Sequence, residues 1–341
     1  MLARLTGLAL AALLAVPGHA AGDKTGVGVS SMIRPEANFG RGVSMTIWYP
    51  AQTGGGASEL VGRNAVFEGT PAQREASPIP GKLPLVLLSH GGRRSSEQSG
   101  AWLAGRLAEG GYIVAEVSGQ RPRDPATALG EIWRRPAELG QALDLLLNDP
   151  DWQMRIDETR VAVAGVALGG TAAMMLAGGM IDEGAYERNC WTAHPSTDCE
   201  WFASGGIDPA SVDPQALTLS RQDPRVRAVL AIAPEYLAEF RAASLAKRDA
   251  RMTIFGLDQP APGEARLAAQ AGIEVLPLEG ADLYDLFALC TPGGAKLLEE
   301  EGGDPALCGS TAEERSAVHD QLAESALDVL GRALPLPPLP H

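Results

Sequence analysis

The sequence predicts an α/β fold in which a mostly parallel central sheet is flanked by helices and antiparallel strands stand at its N-terminal side. Three observations predict it. From Leu85 onward, short apolar runs alternate with helix-patterned stretches, as in a parallel sheet covered on both faces. Before Leu85, Gly26 to Ser31 and the alternating run Val43 to Tyr49 read as antiparallel β. Further on, the apolar run Arg160 to Ala164 passes through Gly165-Val166-Ala167-Leu168-Gly169-Gly170 into the Ala-, Met- and Leu-rich Thr171 to Ala177. That is a strand, a sharp glycine-flanked turn and a helix.

In chain order, Met1 to Ala20 reads as a secretory leader, with Arg4 as its positive end, Leu5 to Val16 as its apolar core and small residues before Ala21. Residues 52 to 82 are rich in Gly, Ala, Pro and Ser and are expected to be loop. Leu85 to Ser89 is a buried strand, Gln98 to Glu109 a helix and Tyr112 to Val117 the next strand. Pro136 to Leu147 is helical, with Leu139, Leu143 and Leu146 on one face. An insertion, residues 180–222, follows the glycine-flanked turn and its helix. Strands Val226 to Ala231 and Met252 to Phe255, helix Gly263 to Ala271, strand Ile273 to Pro277 and helix Ala312 to Leu330 complete the pattern. Residues 21–333 thus form a single domain with the insertion as a candidate lid. Residues 334–341 are a Pro-rich tail, expected to be extended or disordered.

Composition narrows the function. Hydrophobic residues make up 45% and charged residues 21%, as in a globular core. No stretch after the leader is apolar enough to span a membrane. The net charge of −14 argues against nucleic acid or an anionic membrane surface as partner. No cofactor is expected. Four cysteines fit an oxidising compartment and allow three pairings. Proximity favours Cys190 with Cys199 and Cys290 with Cys308. A metal site is the rival reading, but the spacing is not C-x-x-C and only His194 lies near the first pair.

The turn around Ala167 has the context of a G-x-S-x-G nucleophile elbow, with alanine at the apex where a serine hydroxyl would attack. In such a fold the reacting groups gather at the carboxyl ends of the strands. After Leu85 to Ser89 come His90-Gly91-Gly92. The amides of Gly91 and Gly92, with that of Leu168, are candidate oxyanion donors; His90 is expected to be structural. After Met252 to Phe255 comes Asp258, a candidate triad acid or simply a turn residue. After Ile273 to Pro277 comes Glu279 to Phe287, where the base should lie, and it holds no histidine. The histidines are His19, His90, His194, His319 and His341, none in the order nucleophile, acid, base.

These residues together resemble the α/β-hydrolases, and within them the exported dienelactone-hydrolase-like proteins related to platelet-activating-factor acetylhydrolases. The resemblance rests on Thr46-Ile47-Trp48-Tyr49-Pro50, on Pro84 to Gly91, on Arg135-Pro136, and on Trp152 followed by Asp157 to Gly170. Gly280-Ala281, Cys290 and Cys308 add to it. It covers roughly residues 25 to 332. It implies a carboxylic-ester hydrolase with serine at position 167 and histidine at or beside position 283. This chain has Ala167 and Leu283 there, with Asp282 as the neighbouring register.

Three functions fit. The first is a pseudo-hydrolase that keeps a pocket for a small ester, lipid or acyl ligand. Loss of such a nucleophile or base costs on the order of 10⁶ in turnover. The second is a hydrolase using non-standard groups, with Asp282, Asp285 and Glu279 near the missing base and Ser89, Ser95 and Ser96 near the oxyanion loop. The third is a partner-binding protein that uses Trp191, Trp201 and Phe202 of the insertion.

Overall fold

The computed structural model describes residues 26–34, 42–118, 121–192, 195, 198–257 and 263–337. The leader, His19, His194, Asp258, His341 and the end of the tail lie outside these residues. The strands are β1 Gly26–Arg34, β2 Val43–Ala51, β3 Ala57–Val61, β4 Thr70–Arg74, β5 Leu83–Ser89, β6 Ile113–Ser118, β7 Ile156–Val166, β8 Val226–Ile232, β9 Arg251–Leu257 and β10 Glu274–Leu278. They form one sheet in the order β10-β9-β8-β7-β5-β6-β2-β1-β4-β3. From β10 to β6 all neighbours are parallel. β2 joins β6 antiparallel and β1 joins β2 antiparallel.

The helices are α1 Ala101–Glu109, α2 Pro125–Ala128, α3 Glu131–Asn148, α4 Leu168–Leu176, α5 Glu183–Arg188 and α6 Cys199–Ser204. They continue with α7 Pro214–Thr218, α8 Ala242–Ala246, α9 Glu264–Ala271, α10 Gly294–Glu300 and α11 Ala312–Ala333. Two apolar cores lie on opposite faces of the sheet. α3, α4 and α9 bury Leu139, Leu143, Met174 and Leu267 in one; α1 and α11 bury Leu103, Leu107, Leu322 and Leu330 in the other. α11 starts where Thr311 and Glu314 form a reciprocal capping box, which satisfies two amides that the helix cannot pair internally.

Two expectations are corrected. Residues 52 to 82 are not all loop, because β3 and β4 pair antiparallel from Ala57↔Arg74 to Val61↔Thr70. Val61 and Ala72 point inward from an otherwise polar hairpin, so alternation over short strands was hidden by turn-forming composition. α3 starts at Glu131 and carries Pro136 in its interior, one turn after the start. Its first turn is anchored by tertiary contacts that periodicity does not report. The first tail residues are docked: Leu334 is buried, and Pro335 O accepts from Arg160 Nη1.

Register places the site. Ser89 pairs with Gly165, Gly165 with Ala231 and Ala231 with Ile254. The chain therefore leaves β5, β7 and β8 side by side, which brings residues 90–92, 167–168 and 233–236 together.

Candidate active site

The turn after β7 has the backbone of an elbow. Ala167 takes φ 53° and ψ −123°, a conformation that costs a residue with a side chain about 1–3 kcal/mol. Its glycines are sterically required: a Cβ on Gly165 would stand 2.1 Å from Gly169 O, and one on Gly169 would stand 1.9 Å from Ser89 O. The elbow is thus pressed against β5, and α4 starts one residue past the apex. The Ala167 methyl is buried.

The loop after β5 is fixed from several sides. Gly91 has φ +83°, and its N–H donates to Val166 O at 3.1 Å. Its amide is therefore committed to the turn, a correction to its expected role as an oxyanion donor. Arg135 donates to both Gly91 O and Gly92 O at 2.6 Å. Arg93, buried, donates to Asp198 Oδ2 and to Tyr236 Oη, each at 2.8 Å. Asp198 belongs to the insertion, as do Phe202 and Trp201, which stack under the Arg93 and Arg94 guanidinium groups at 5.1 and 5.2 Å. The insertion is thereby pinned onto the loop after β5. Of Trp191, Trp201 and Phe202, Trp191 alone stands in solvent. Beside this loop, Ser89, His90, Ser99, Glu116 and Arg135 line a cleft with a free volume of ≈ 40 Å³, the scale of one or two water molecules. Burial pushes the Glu116 carboxyl up to about 7 there, against the Gly100 N–H that favours its charge.

Sequence reasoning did not single out Glu235. It follows β8 in Ala233-Pro234-Glu235-Tyr236, a strand end as close to the apex as any other. A carboxylate directly after a central strand was the available signal. Its N–H donates to Ala167 O at 3.2 Å and its carbonyl accepts from Thr171 Oγ1. Burial, then Asp198, pushes its carboxyl up to about 7, while Arg93, Arg135 and the Leu168 N–H oppose the shift.

The loop expected to hold the base is structural. Leu283 is half-buried against the second core. Asp282 is exposed and accepts from the Tyr284 and Asp285 amides at 2.7 and 3.1 Å, as a turn residue does. Asp285 is buried, accepts from Asp282 N and Ser310 Oγ, and lies 3.9 Å from Arg315. Glu279 is exposed. His90 Nε2 donates to Leu286 O at 2.8 Å and His319 Nε2 to Phe287 O at 2.9 Å; a carbonyl can only accept, so both rings carry their proton on Nε2. Burial pushes both imidazoles down to about 4, so they are neutral at physiological pH. The cysteines form two disulfides, Cys190–Cys199 and Cys290–Cys308.

No protein-family model matches the chain. A stretch of 88 residues, 25% of the chain, is 34% identical to cutinase 2 of Thermobifida cellulosilytica and covers 31% of that protein. The match to the cutinase of Thermobifida fusca (strain YX) has the same extent and identity and covers 26% of it. The matched stretch thus spans about a third or less of these relatives. A ferulic acid esterase structure from Streptomyces cinnamoneus superposes with a TM-score of 0.56 over 94% of this chain and 92% of that one, at 16% identity. The fold is that of the α/β-hydrolases. On an α/β-hydrolase frame the apex of the turn after β7 is where the nucleophile stands, and here a methyl group stands there. Among the described residues no cluster of three metal-ligating side chains occurs, and no helix is long and apolar enough to cross a membrane.

Proposed function

We propose that this chain is an exported pseudo-hydrolase of the dienelactone-hydrolase-like and platelet-activating-factor-acetylhydrolase-like type. It keeps the α/β-hydrolase frame and a pocket for a small ester, lipid or acyl ligand, and lacks the serine nucleophile and histidine base. One observation carries this reading: the strained apex is alanine, with the flanking glycines in place, and both described histidines are spent on backbone carbonyls. An oxyanion cradle and binding alone leave about 10³–10⁴ over the reaction in water. The similarity to cutinases and to a ferulic acid esterase supports an ester-like ligand. Two disulfides support an oxidising, extracytoplasmic location. The insertion, pinned over the oxyanion loop by Arg93–Asp198, is the lid of this pocket. Asp258, after β9, is the remaining acid position, and positions 167 and 283 are the vacated nucleophile and base.

The test is covalent labelling of the purified chain with a fluorophosphonate probe. No adduct is expected at pH 7–8. A stoichiometric adduct on any residue near Ala167, located by peptide mass spectrometry, overturns the proposal.

A further inference from the structure

Glu235 is held at two points against the elbow, by its N–H on Ala167 O and its carbonyl on Thr171 Oγ1, and the Leu168 N–H favours the charged form of its carboxylate. Its Oε1 also lies 3.1 Å from the point where a Cβ on Gly92 would stand. The carboxylate is therefore wedged between the two backbone segments that would embrace a tetrahedral oxyanion. The surrounding backbone is unusual. Ala233 (φ 42°) and Tyr236 (φ 57°) bracket Glu235 in the left-handed region, and Ala167 (φ 53°) faces it. Three such residues without glycine, at the adjoining ends of β7 and β8, mark a conformation imposed by its surroundings.

A plain ion-pair role does not explain the placement. Arg93 is already neutralised by Asp198 at 2.8 Å, while its distance to Glu235 Oε2 is 3.9 Å. Arg135 is engaged by Glu131 and by the two glycine carbonyls. Glu235 Oε2 is buried and has no hydrogen-bond partner. What the carboxylate does gain is the favourable field of the Leu168 N–H at the start of α4, with its Oε1 set against Gly92 and its backbone tied to Ala167 O, in a site shaped for negative oxygen.

We propose that Glu235 is the resident occupant of the oxyanion cradle, an internal carboxylate that denies the Leu168 amide to the carbonyl or oxyanion of any ligand. The consequence for ligand choice rests on the pseudo-hydrolase reading: an ester or acyl ligand is held by the walls of the pocket, not by its carbonyl, and an anionic head is repelled. The groups facing the carboxylate are Arg93, Arg135, Asp198 and the Leu168 amide, with Tyr236 and Tyr186 behind Arg93 and Glu131 and Glu138 behind Arg135.

The test reads the Leu168 amide directly, by ¹H–¹⁵N NMR of the full chain between pH 5 and 9. In the wild type its proton moves downfield in one step as the carboxylate ionises, and in Glu235→Gln the step is absent. Phenylphosphonate, added as an anionic probe at pH 8, moves the Leu168 resonance of Glu235→Ala and binds it at least tenfold more tightly than the wild type. A Leu168 amide that responds to pH identically in wild type and Glu235→Gln overturns the proposal. So does phenylphosphonate moving this resonance equally in wild type and Glu235→Ala, or in neither. Fluorophosphonate labelling would instead overturn the pseudo-hydrolase reading and leave the amide titration standing.

Discussion

The elbow and the 279–290 loop lie at the same end of the sheet, joined through the His90–Leu286 contact, yet they are built in opposite ways. The elbow keeps unfavourable features: a left-handed alanine, glycines packed against backbone, and a buried carboxylate at its lip. The loop is held chiefly by favourable ones. Asp285 and Ser310 are hydrogen-bonded, Arg315 grips two carbonyls, a disulfide closes the far side, and two imidazoles hold the backbone. The difference teaches that strain is concentrated at the turn after β7, while the 279–290 loop is held as scaffold; on the proposed reading the first is a reaction centre without its reacting atom. Removing a group from the loop should weaken the fold; removing one from the elbow should relax it.

The largest expected effect breaks the loop. Arg315 donates to Ala288 O and Leu307 O at 2.9 and 2.6 Å and is almost fully buried beside Asp285. Arg315→Met leaves that carboxylate without its cation and should cost about 3–5 kcal/mol in urea unfolding. A cost below about 1 kcal/mol would remove the case for a loop held as scaffold.

The next effect joins the two regions. On the proposed reading, Ala167→Ser with Leu283→His, or with Asp282→His, restores the nucleophile and the base and leaves Glu235 in the proposed cradle. Adding Glu235→Ala to either double variant should raise p-nitrophenyl acetate turnover by about 10²–10³, the usual worth of one oxyanion donor. Equal turnover with and without Glu235 would show that the elbow was already open.

The smallest effect is on the elbow alone and carries a definite pH sign. Burial raises the folded-state pKa of Glu235 above its unfolded value, so its contribution favours the fold at low pH and is lost as pH rises from 4.5 through about 7. Glu235→Gln has no such loss. It should exceed the wild type by on the order of 1–3 kcal/mol at pH 8, with the gap closing by pH 4.5. Urea midpoints at the two pH values measure it. A gap that widens toward acid would reverse the assignment.

Much of this contrast was legible in the residues. Alternating apolar runs from Leu85 place the parallel strands in the right order, because buried parallel strands are continuous in sequence and bounded by turn formers. The elbow was visible because glycines flank a sharp turn between an apolar run and a helix-patterned one, a pattern contained within a few residues. The disulfides follow from short separations of 9 and 18 residues. The β3–β4 hairpin was not visible, since Pro71 and the glycines around it speak for loop, and pairing with β1 and contacts with distant segments hold it. Glu235 was not visible for a different reason. Its meaning comes from Arg93, Asp198 and Leu168, which converge from three distant parts of the chain and share no spacing.

The two stapling imidazoles have a last consequence. His90, just past β5, and His319, on α11, reach the carbonyls of successive residues, so the 279–290 loop is clasped by rings mounted on two other elements. Both are neutral in the fold down to about pH 4, whereas in an unfolded chain they take up protons near 6.5. The clasp therefore weakens as pH falls between those values, and acid should loosen this end of the molecule by charging two neighbouring rings in one dry space.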